Sequence, residues 1–398
     1  MDYQLIKDNI LKISAIGADE KDGIRGTNRV FGTPAYQEGK EATLKYFEEC
    51  GMKTYADSAG NVHGILSCGV QNAEEIWIGS HIDTVKEGGM LDGLLGVVSG
   101  AEVVRELVKT GAKLSKDIHI IGTNGEEGND MGGTFGSRAM MGMLPLDNAE
   151  YIELGKTFGY TKEMLEDAVI DTSRAACWLE LHIEQGPTLD INKEQIGVVT
   201  GIVGLRRYKI TVHGQSNHAG TTMMKDRNDA LVSAARLILM GDELAREIGH
   251  NFVETVGILK VFPSSVAVIP GSVEFIVEIR NEDTALMDHF LEEYKKRAAE
   301  LADISISPVV DKAPIHCDEK LVALTDAICK EKGLKYRQMP SGATHDGNAM
   351  AMKMPVGMIF VPSIKGISHA RYEKTEWEDI YTGVDVLYDL VTKLAAGQ

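Results

Sequence analysis

The sequence predicts an α/β protein: a mostly parallel sheet with helices on both faces, interrupted by an inserted α+β unit. Three observations predict it. In the outer parts of the chain, short apolar strands alternate with stretches of helical period, as in a parallel sheet with crossover helices. Those strands run into polar clusters, at His81, Glu126-Glu127, His182 and, after an exit loop, His369. Near Gly201 the alternation gives way to the order β-α-β-β-α-β, a compact unit of about 110 residues. The expected division is a discontinuous domain, 1–203 with 317–398, and an inserted domain, 204–316.

The totals fit this division. A chain of 398 residues has room for one to three domains, most simply two. Hydrophobic content of 43% and charged content of 25% suit a globular enzyme with a full core. A net charge of −18 weighs against unspecific binding to nucleic acid or anionic membrane. The five cysteines are scattered, odd in number and without a CxxC pair, which predicts a reduced, cytoplasmic protein. The N-terminal stretch MDYQLIKDNILKISAIG carries acids and no long apolar run, unlike a signal peptide. No stretch approaches the roughly 18 apolar residues of a membrane span.

In order, residues 1–50 read as helical, with Ala35–Cys50 closing at Gly51. The turn-rich stretch Arg25–Pro34 (RGTNRVFGTP) has only a weak claim to a cleft. Short strands follow at Met52–Tyr55 and Val62–Leu66. Ile76, Trp77 and Ile78 end a buried strand, with His81 and Asp83 where it leaves the sheet. A glycine-rich turn leads to Asp92, and helical periodicity from Leu94 to Val108 starts a helix near Asp92. Asp117–Thr123 is a strand that opens into Asn124-Gly125-Glu126-Glu127-Gly128. Cys177–Ile183 is another, ending at His182-Ile183-Glu184-Gln185-Gly186.

Inside the insertion, Arg206–His213 alternates as a strand, and Asp226–Gly249 reads as a helix with Asp226 as N-cap. Phe252–Phe262 and Ser272–Arg280 are strands, Asp283–Ala302 a helix, and Ile304–Val310 the last strand. After Pro314 the first domain resumes with a helix over Asp318–Lys332. The polar loop Ser341–Asp346, a strand at Gly357–Val361, the exit loop IKGISHAR with His369, and a closing helix over Trp377–Ala395 follow.

Sites in open α/β sheets form at the carboxyl ends of strands. Each polar cluster alone is equally well explained by a solvated turn or a structural histidine. Together they put three imidazoles and several carboxylates, with no thiolate, at one sheet edge. That donor set suits a pair of borderline divalent metals such as Zn²⁺ or Mn²⁺. One carboxylate could bridge two ions, and adjacent Glu126 and Glu127 could divide the roles of general base and ligand.

The segments GSHIDTVKEGGMLDGLLGV, EEG, LELHIEQGP, SNHAGTT, IPG…EIR, SGATHD and PSIKGISH run in order from about residue 79 to 369. With them the chain resembles the metal-dependent aminoacylase and carboxypeptidase superfamily. Within it, the chain is similar to the hydantoinase/carbamoylase amidases, the family of allantoate amidohydrolase, N-carbamoyl-L-amino-acid hydrolase and β-alanine synthase. HIEQG and SNHAGTT are far more specific than HxD.

The resemblance implies an inserted domain that acts as lid and dimerisation domain, a homodimer, and two divalent metal ions per subunit. Asp92 would bridge them. Glu127 and His369 would complete one metal position, and His81 and His182 the other. Glu126 would be the general base, and Asp83 would orient His81. His218 would stabilise the developing oxyanion. Gln185 and Arg280 would bind substrate, Arg280 by gripping a carboxylate as a fork. His345 would lie near the substrate pocket; a hydrogen-bonded loop histidine is the equal alternative. The substrate implied is a small ureido acid, allantoate or an N-carbamoyl-L-amino acid, cleaved at a linear C–N bond with release of ammonia and carbon dioxide. Arg206-Arg207-Tyr208 tips the preference to allantoate, as in purine catabolism.

Three departures touch the substrate side and leave the metal set intact. Ala267 stands where the family usually has Asn, Met223 replaces the Pro of HAGTTP, and Asn129-Asp130-Met131 replaces Ser-Arg-Phe after EEG. Two alternatives remain open: an aminoacylase or dipeptidase, and a binding protein of the same fold that has lost catalysis.

Overall fold

The structure, a computed structural model, describes residues 1–396; the last two residues assigned to the catalytic domain lie outside the described residues. The chain forms two compact units: Met1–Thr200 together with His316 onward, and Gly201–Ile315.

The first unit is built on a nine-stranded sheet. Its strands in chain order are β1 (Lys53–Ala56), β2 (Val62–Leu66), β3 (Glu75–His81), β4 (Asp117–Thr123), β5 (Ala175–Ile183), β6 (Ile196–Ile202), β7 (Ile315–His316), β8 (Tyr336–Ser341) and β9 (Val356–Val361). The spatial order is β7-β6-β9-β5-β3-β4-β2-β1, with β8 paired to β6. The four central strands β4, β3, β5 and β9 are mutually parallel. The flanks are antiparallel: β2 on β4, β1 on β2, and β6 on β9. The sheet is therefore mixed around a parallel centre. Short connections such as the one between β1 and β2 only allow an antiparallel return, since a parallel partner needs a long crossover.

Every residue of β4 and β9, and all of β3 after Glu75, is buried. Both faces of the centre are thus covered, which explains why these strands read as unbroken apolar runs rather than alternating ones. Helix α1 (Tyr3–Ser14), α2 (Pro34–Glu49), α3 (Leu94–Thr110) and α4 (Trp377–Ala395) contribute to one continuous core with them.

Residues 1–50 are not wholly helical. Ala18–Lys21 and Ile24–Thr27 pair as an antiparallel hairpin between α1 and α2. Asp22-Gly23 is its two-residue turn, a strong hairpin signal that helical periodicity on either side obscures.

The second unit has a four-stranded antiparallel sheet of order Val253–Phe262, Ser272–Asn281, Gly204–His213, Asp303–Lys312. Helices Ala230–Ile248 and Thr284–Leu301 complete the order β-α-β-β-α-β. Along Ser272–Asn281, Val273, Phe275, Val277 and Ile279 are buried with residues of both helices. The first helix begins at Ala230, and its cap is Asp229, which accepts from the amides of Leu231 and Val232. Asp226 instead closes a single 3-10 turn, Met224–Asp226.

Candidate metal centre

The four parallel strands end on one edge of the sheet, and each delivers part of one cluster. His81 is the last residue of β3, and His182 is the penultimate residue of β5. Glu126 and Glu127 follow β4 by a few residues, and His369 follows β9 through its exit loop. Asp92 sits just before α3, next to Gly93. A Cβ at Gly93 would collide with the His81 ring, so only glycine lets the chain pass so close to the imidazole.

Asp92 is the hub. Its Oδ1 lies 3.4 Å from His81 Nε2 and 3.2 Å from His182 Nε2. Its Oδ2 lies 3.3 Å from His369 Nε2, which is 3.5 Å from Glu127 Oε1. Two groups of potential ligands result: His81, Asp92 and His182, and Asp92, Glu127 and His369. They share only Asp92, one oxygen facing each.

Two observations test whether divalent ions fit. Asp92 Oδ1 and Glu127 Oε1 are buried and have no hydrogen-bond partner, an expensive state for a carboxylate unless a cation is meant to meet it. The histidine tautomers agree. His81 Nδ1 is 2.9 Å from the Asp83 carbonyl and His182 Nδ1 is 2.9 Å from the Ile183 carbonyl. A proton on each Nδ1 makes these hydrogen bonds and leaves each Nε2 unprotonated, the form a metal requires; the Nε2 of His182 accepts from the Gly93 amide at 3.2 Å. The residues present fit a pair of divalent ions.

Electrostatics point the same way. Burial alone would raise the Asp92 carboxyl, but His182, His369 and His81 hold it well below the usual carboxylate range. Burial alone would lower the His81 imidazole, but Asp92, Glu126 and Asp83 raise it well above its usual value. His369 is pushed up to about 9, first by its hydrogen bond to Asp92. Protons thus supply positive charge where a cation would, and metal binding displaces them. Burial raises Glu127 to about 7, with Asp92 and Asp83 adding to it against His81 and His369. Burial also raises Glu126 well above the carboxylate range, against the pull of His81 and with the help of Asp346. Glu126 Oε2 is 3.9 Å from His81 Nε2, beside the cluster without a place in either ligand group.

Asp83 holds more than His81. The His81 ring bonds to its backbone carbonyl, and the nearer carboxylate oxygen is 3.9 Å from Nδ1. The carboxylate accepts instead from the amides of Glu126 and Glu127, each at 3.1 Å. One fully buried residue therefore sets the orientation of His81 and the placement of both glutamates.

Gln185 Nε2 donates to Asp92 Oδ2 at 3.0 Å, and Gln185 and His369 both have left-handed backbone, with φ of 59° and 54°. Such strain in non-glycine residues concentrates at functional sites. His345 is 2% exposed, its ring 4.6 Å from that of His182 and edge-on to it, and its Nε2 is 2.9 Å from Ser341 Oγ. It backs His182 rather than facing a solute, and burial together with His182 lowers its imidazole well below the usual value. His345 and Glu180 form a third potential ligand group with His182. Glu180, however, already accepts from Ser80 Oγ, Trp178 Nε1 and the Gly347 amide.

His218 and Arg280 lie in the second unit. His218 is exposed, with Nδ1 accepting from the Gly220 and Thr221 amides. Arg280 Nε donates to Glu278 at 2.8 Å.

Glu373 escaped the sequence reading. It is 6% exposed, and its Oε1 accepts from the amides of Leu91 (3.0 Å) and Asp92 (3.1 Å). Ser368 Oγ bridges Glu373 Oε2 and Asp92 Oδ2. The Asp92 turn and the His369 loop are thereby tied together. The only trace in the sequence is one acid among the charges of YEKTEWED, where a solvated face is the ordinary explanation.

Comparison with known proteins adds a family. A sequence profile of peptidase family M20/M25/M40 matches residues 77–393. An N-carbamoyl-L-amino acid amidohydrolase of Geobacillus stearothermophilus is 35% identical, over 97% of this chain and 98% of that protein. An allantoate amidohydrolase of Escherichia coli (strain K12) is 33% identical, over 98% of each. The crystal structure of an amidase of the hydantoinase/carbamoylase family from Burkholderia multivorans superposes with a TM-score of 0.89 at 30% identity, covering 99% of this chain and 98% of that one.

Proposed function

We propose, from the premise that this chain belongs to peptidase family M20/M25/M40 and within it to the hydantoinase/carbamoylase amidases, that it cleaves the carbamoyl C–N bond of a linear ureido acid at a two-metal centre. It is an amidohydrolase, a hydrolase of C–N bonds. The observation that carries the finer assignment is the geometry of Asp92, whose two buried oxygens each face a separate set of ligands.

His81, Asp92 and His182 would hold one ion, and Asp92, Glu127 and His369 the other, Zn²⁺ or Mn²⁺. Bound there, the ions supply Lewis acidity to the carbonyl and lower the pKa of water. Glu126 takes a proton from the attacking water and returns it to the leaving nitrogen. Its buried position, with a carboxyl raised by that burial, suits a base that must also give the proton back. Asp83 keeps Glu126 and Glu127 in register through their amides. We assign to His218 donation to the oxyanion and to Arg280 and Gln185 substrate binding. Water adds to the carbamoyl carbon and the C–N bond to the leaving nitrogen breaks. The carbamate so formed then breaks its remaining C–N bond, so that one water and one ureido acid give the amine, ammonia and carbon dioxide.

Both relatives are named for ureido or carbamoyl acids, and allantoate and N-carbamoyl-L-amino acids are the substrates we put forward. A homodimer in the cytoplasm belongs to the same proposal; among the described residues no helix is long and apolar enough to cross a membrane. The test is ammonia release by protein loaded with Mn²⁺ or Zn²⁺, on allantoate, N-carbamoyl-L-amino acids and a dipeptide panel. Turnover of either of the first two supports the proposal. Turnover of dipeptides alone would replace it with a peptidase.

A further inference from the structure

Two features of the first unit are costly on their own and together explain each other. Arg29, from the turn-rich stretch before α2, is 1% exposed. Among the described residues no carboxylate lies within ion-pair distance of its guanidinium; burial lowers its pKa to about 10, against the more distant charge of Asp83. Gly39 sits inside α2, where glycine weakens a helix. A Cβ at Gly39 would collide with Cδ of Arg29, so the glycine opens the path the arginine takes.

The guanidinium ends on three backbone carbonyls. Nε donates to Ile82 at 2.5 Å. One terminal nitrogen, Nη1, donates to Ile13 at 3.3 Å and to Ile16 at 3.2 Å, at the C-terminal end of α1. The Ile13 carbonyl also accepts from the Ile16 amide, and at this end of the helix a cation is favoured. The backbone of Arg29 is held to the same turn: its amide donates to Thr84 Oγ1 at 2.9 Å, and its carbonyl accepts from the Thr84 amide at 3.1 Å. Residues 82–84 are therefore clamped on both sides of Asp83. Asp83 is the residue whose carbonyl fixes the His81 ring and whose carboxylate fixes Glu126 and Glu127.

We propose, building on the assignment of the metal centre, that Arg29 is a positioning residue: it pins the 82–84 turn to the end of α1 and so holds one metal ligand, a second ligand and the general base in mutual register. It touches neither metal nor substrate. Groups of this kind that orient ligands are worth 10–100-fold in metal affinity or activity. Gly39 belongs to the same device, since filling its space displaces Arg29 without touching any group of the site.

The test measures affinity for Zn²⁺ or Mn²⁺ by competition with a chromogenic chelator, alongside the thermal midpoint of the metal-free protein. The proteins are wild type, Arg29→Met, Arg29→Lys, Gly39→Ala and a control, Leu107→Ala, which truncates a buried side chain in α3. Arg29→Met and Gly39→Ala are expected to bind metal 10–100-fold more weakly. Arg29→Lys should fall between them and wild type, and the control should bind as wild type despite its lowered midpoint. The Gly39→Ala result is the most telling, because Ala raises helix propensity and would otherwise be neutral or stabilising. If Arg29→Met does not fold, Gly39→Ala carries the test. Wild-type affinity in Arg29→Met and Gly39→Ala overturns the proposal. So does a loss of affinity that tracks the midpoint equally in Leu107→Ala, since the role is then general stability. A wild-type protein that binds no divalent metal overturns the metal centre itself, and the role of Arg29 with it.

Discussion

Glu373 can be taken apart into its oxygen and its charge. Glu373→Ala strips the Leu91 and Asp92 amides of their common acceptor. At about 1–3 kcal/mol for each buried donor left unsatisfied, the loss is on the order of 2–6 kcal/mol. Glu373→Gln keeps an oxygen for both amides and turns an NH₂ toward Ser368 Oγ, which can still donate to Asp92. The charge acts in the opposite direction. Burial, then the negative charge of Asp92, raises the Glu373 carboxyl from 4.5 to about 7. A carboxyl raised in the folded state contributes stability that is full below its unfolded value and is lost as pH rises through the folded one. At about 1.36 kcal/mol per pH unit, the metal-free protein gives up about 3 kcal/mol in this way by pH 8. Metal-free Glu373→Gln should therefore match wild type near pH 4.5 and exceed it by about 3 kcal/mol at pH 8. Urea unfolding of the stripped proteins at the two pH values measures both effects. A Gln variant less stable than wild type at pH 8 would show that the ionised carboxylate is itself stabilising. An Ala variant as stable as the Gln variant would show that the amides have another acceptor. Either result refutes the assignment.

The metal centre makes three further predictions. Glu126→Gln should lower kcat by about 10²–10⁴ while metal content, read by elemental analysis, stays at the wild-type level. His369→Ala should halve the metal content, because His369 belongs to only one of the two ligand groups; loss of both ions would mean the positions fill cooperatively. Asp83→Asn should cost more than an exposed Asp→Asn change, by about 1–3 kcal/mol, because the new NH₂ faces one of the two glutamate amides. Its thermal midpoint and metal affinity should fall together.

What the sequence made legible follows from what kind of partner each residue has. His81, Asp92, Glu127, His182 and His369 sit at the ends of apolar runs, and position at a strand end is readable wherever strands are. The order β-α-β-β-α-β was readable for the same reason, since Ser272–Asn281 alternates cleanly on a sheet with one covered face. Sheet direction at the flanks was legible only where a short connection forces an antiparallel return, as between β1 and β2. Between β6 and β9, which a long stretch of chain separates, a strand's composition carries little information about its neighbour's direction. The supports were the least visible. Glu373, Arg29 and the Asp83 carboxylate bond to backbone amides and carbonyls, which every residue has and no residue type advertises. A charge whose partner is backbone looks in the sequence like a charge in water. His345 shows the converse: its loop was conspicuous, yet the side chain turns inward to back His182. The proposed ligands would define the chemistry of the site, but the geometry in which they meet rests on these buried charges on backbone. Substitutions there should therefore change metal affinity without changing which metal or substrate is accepted.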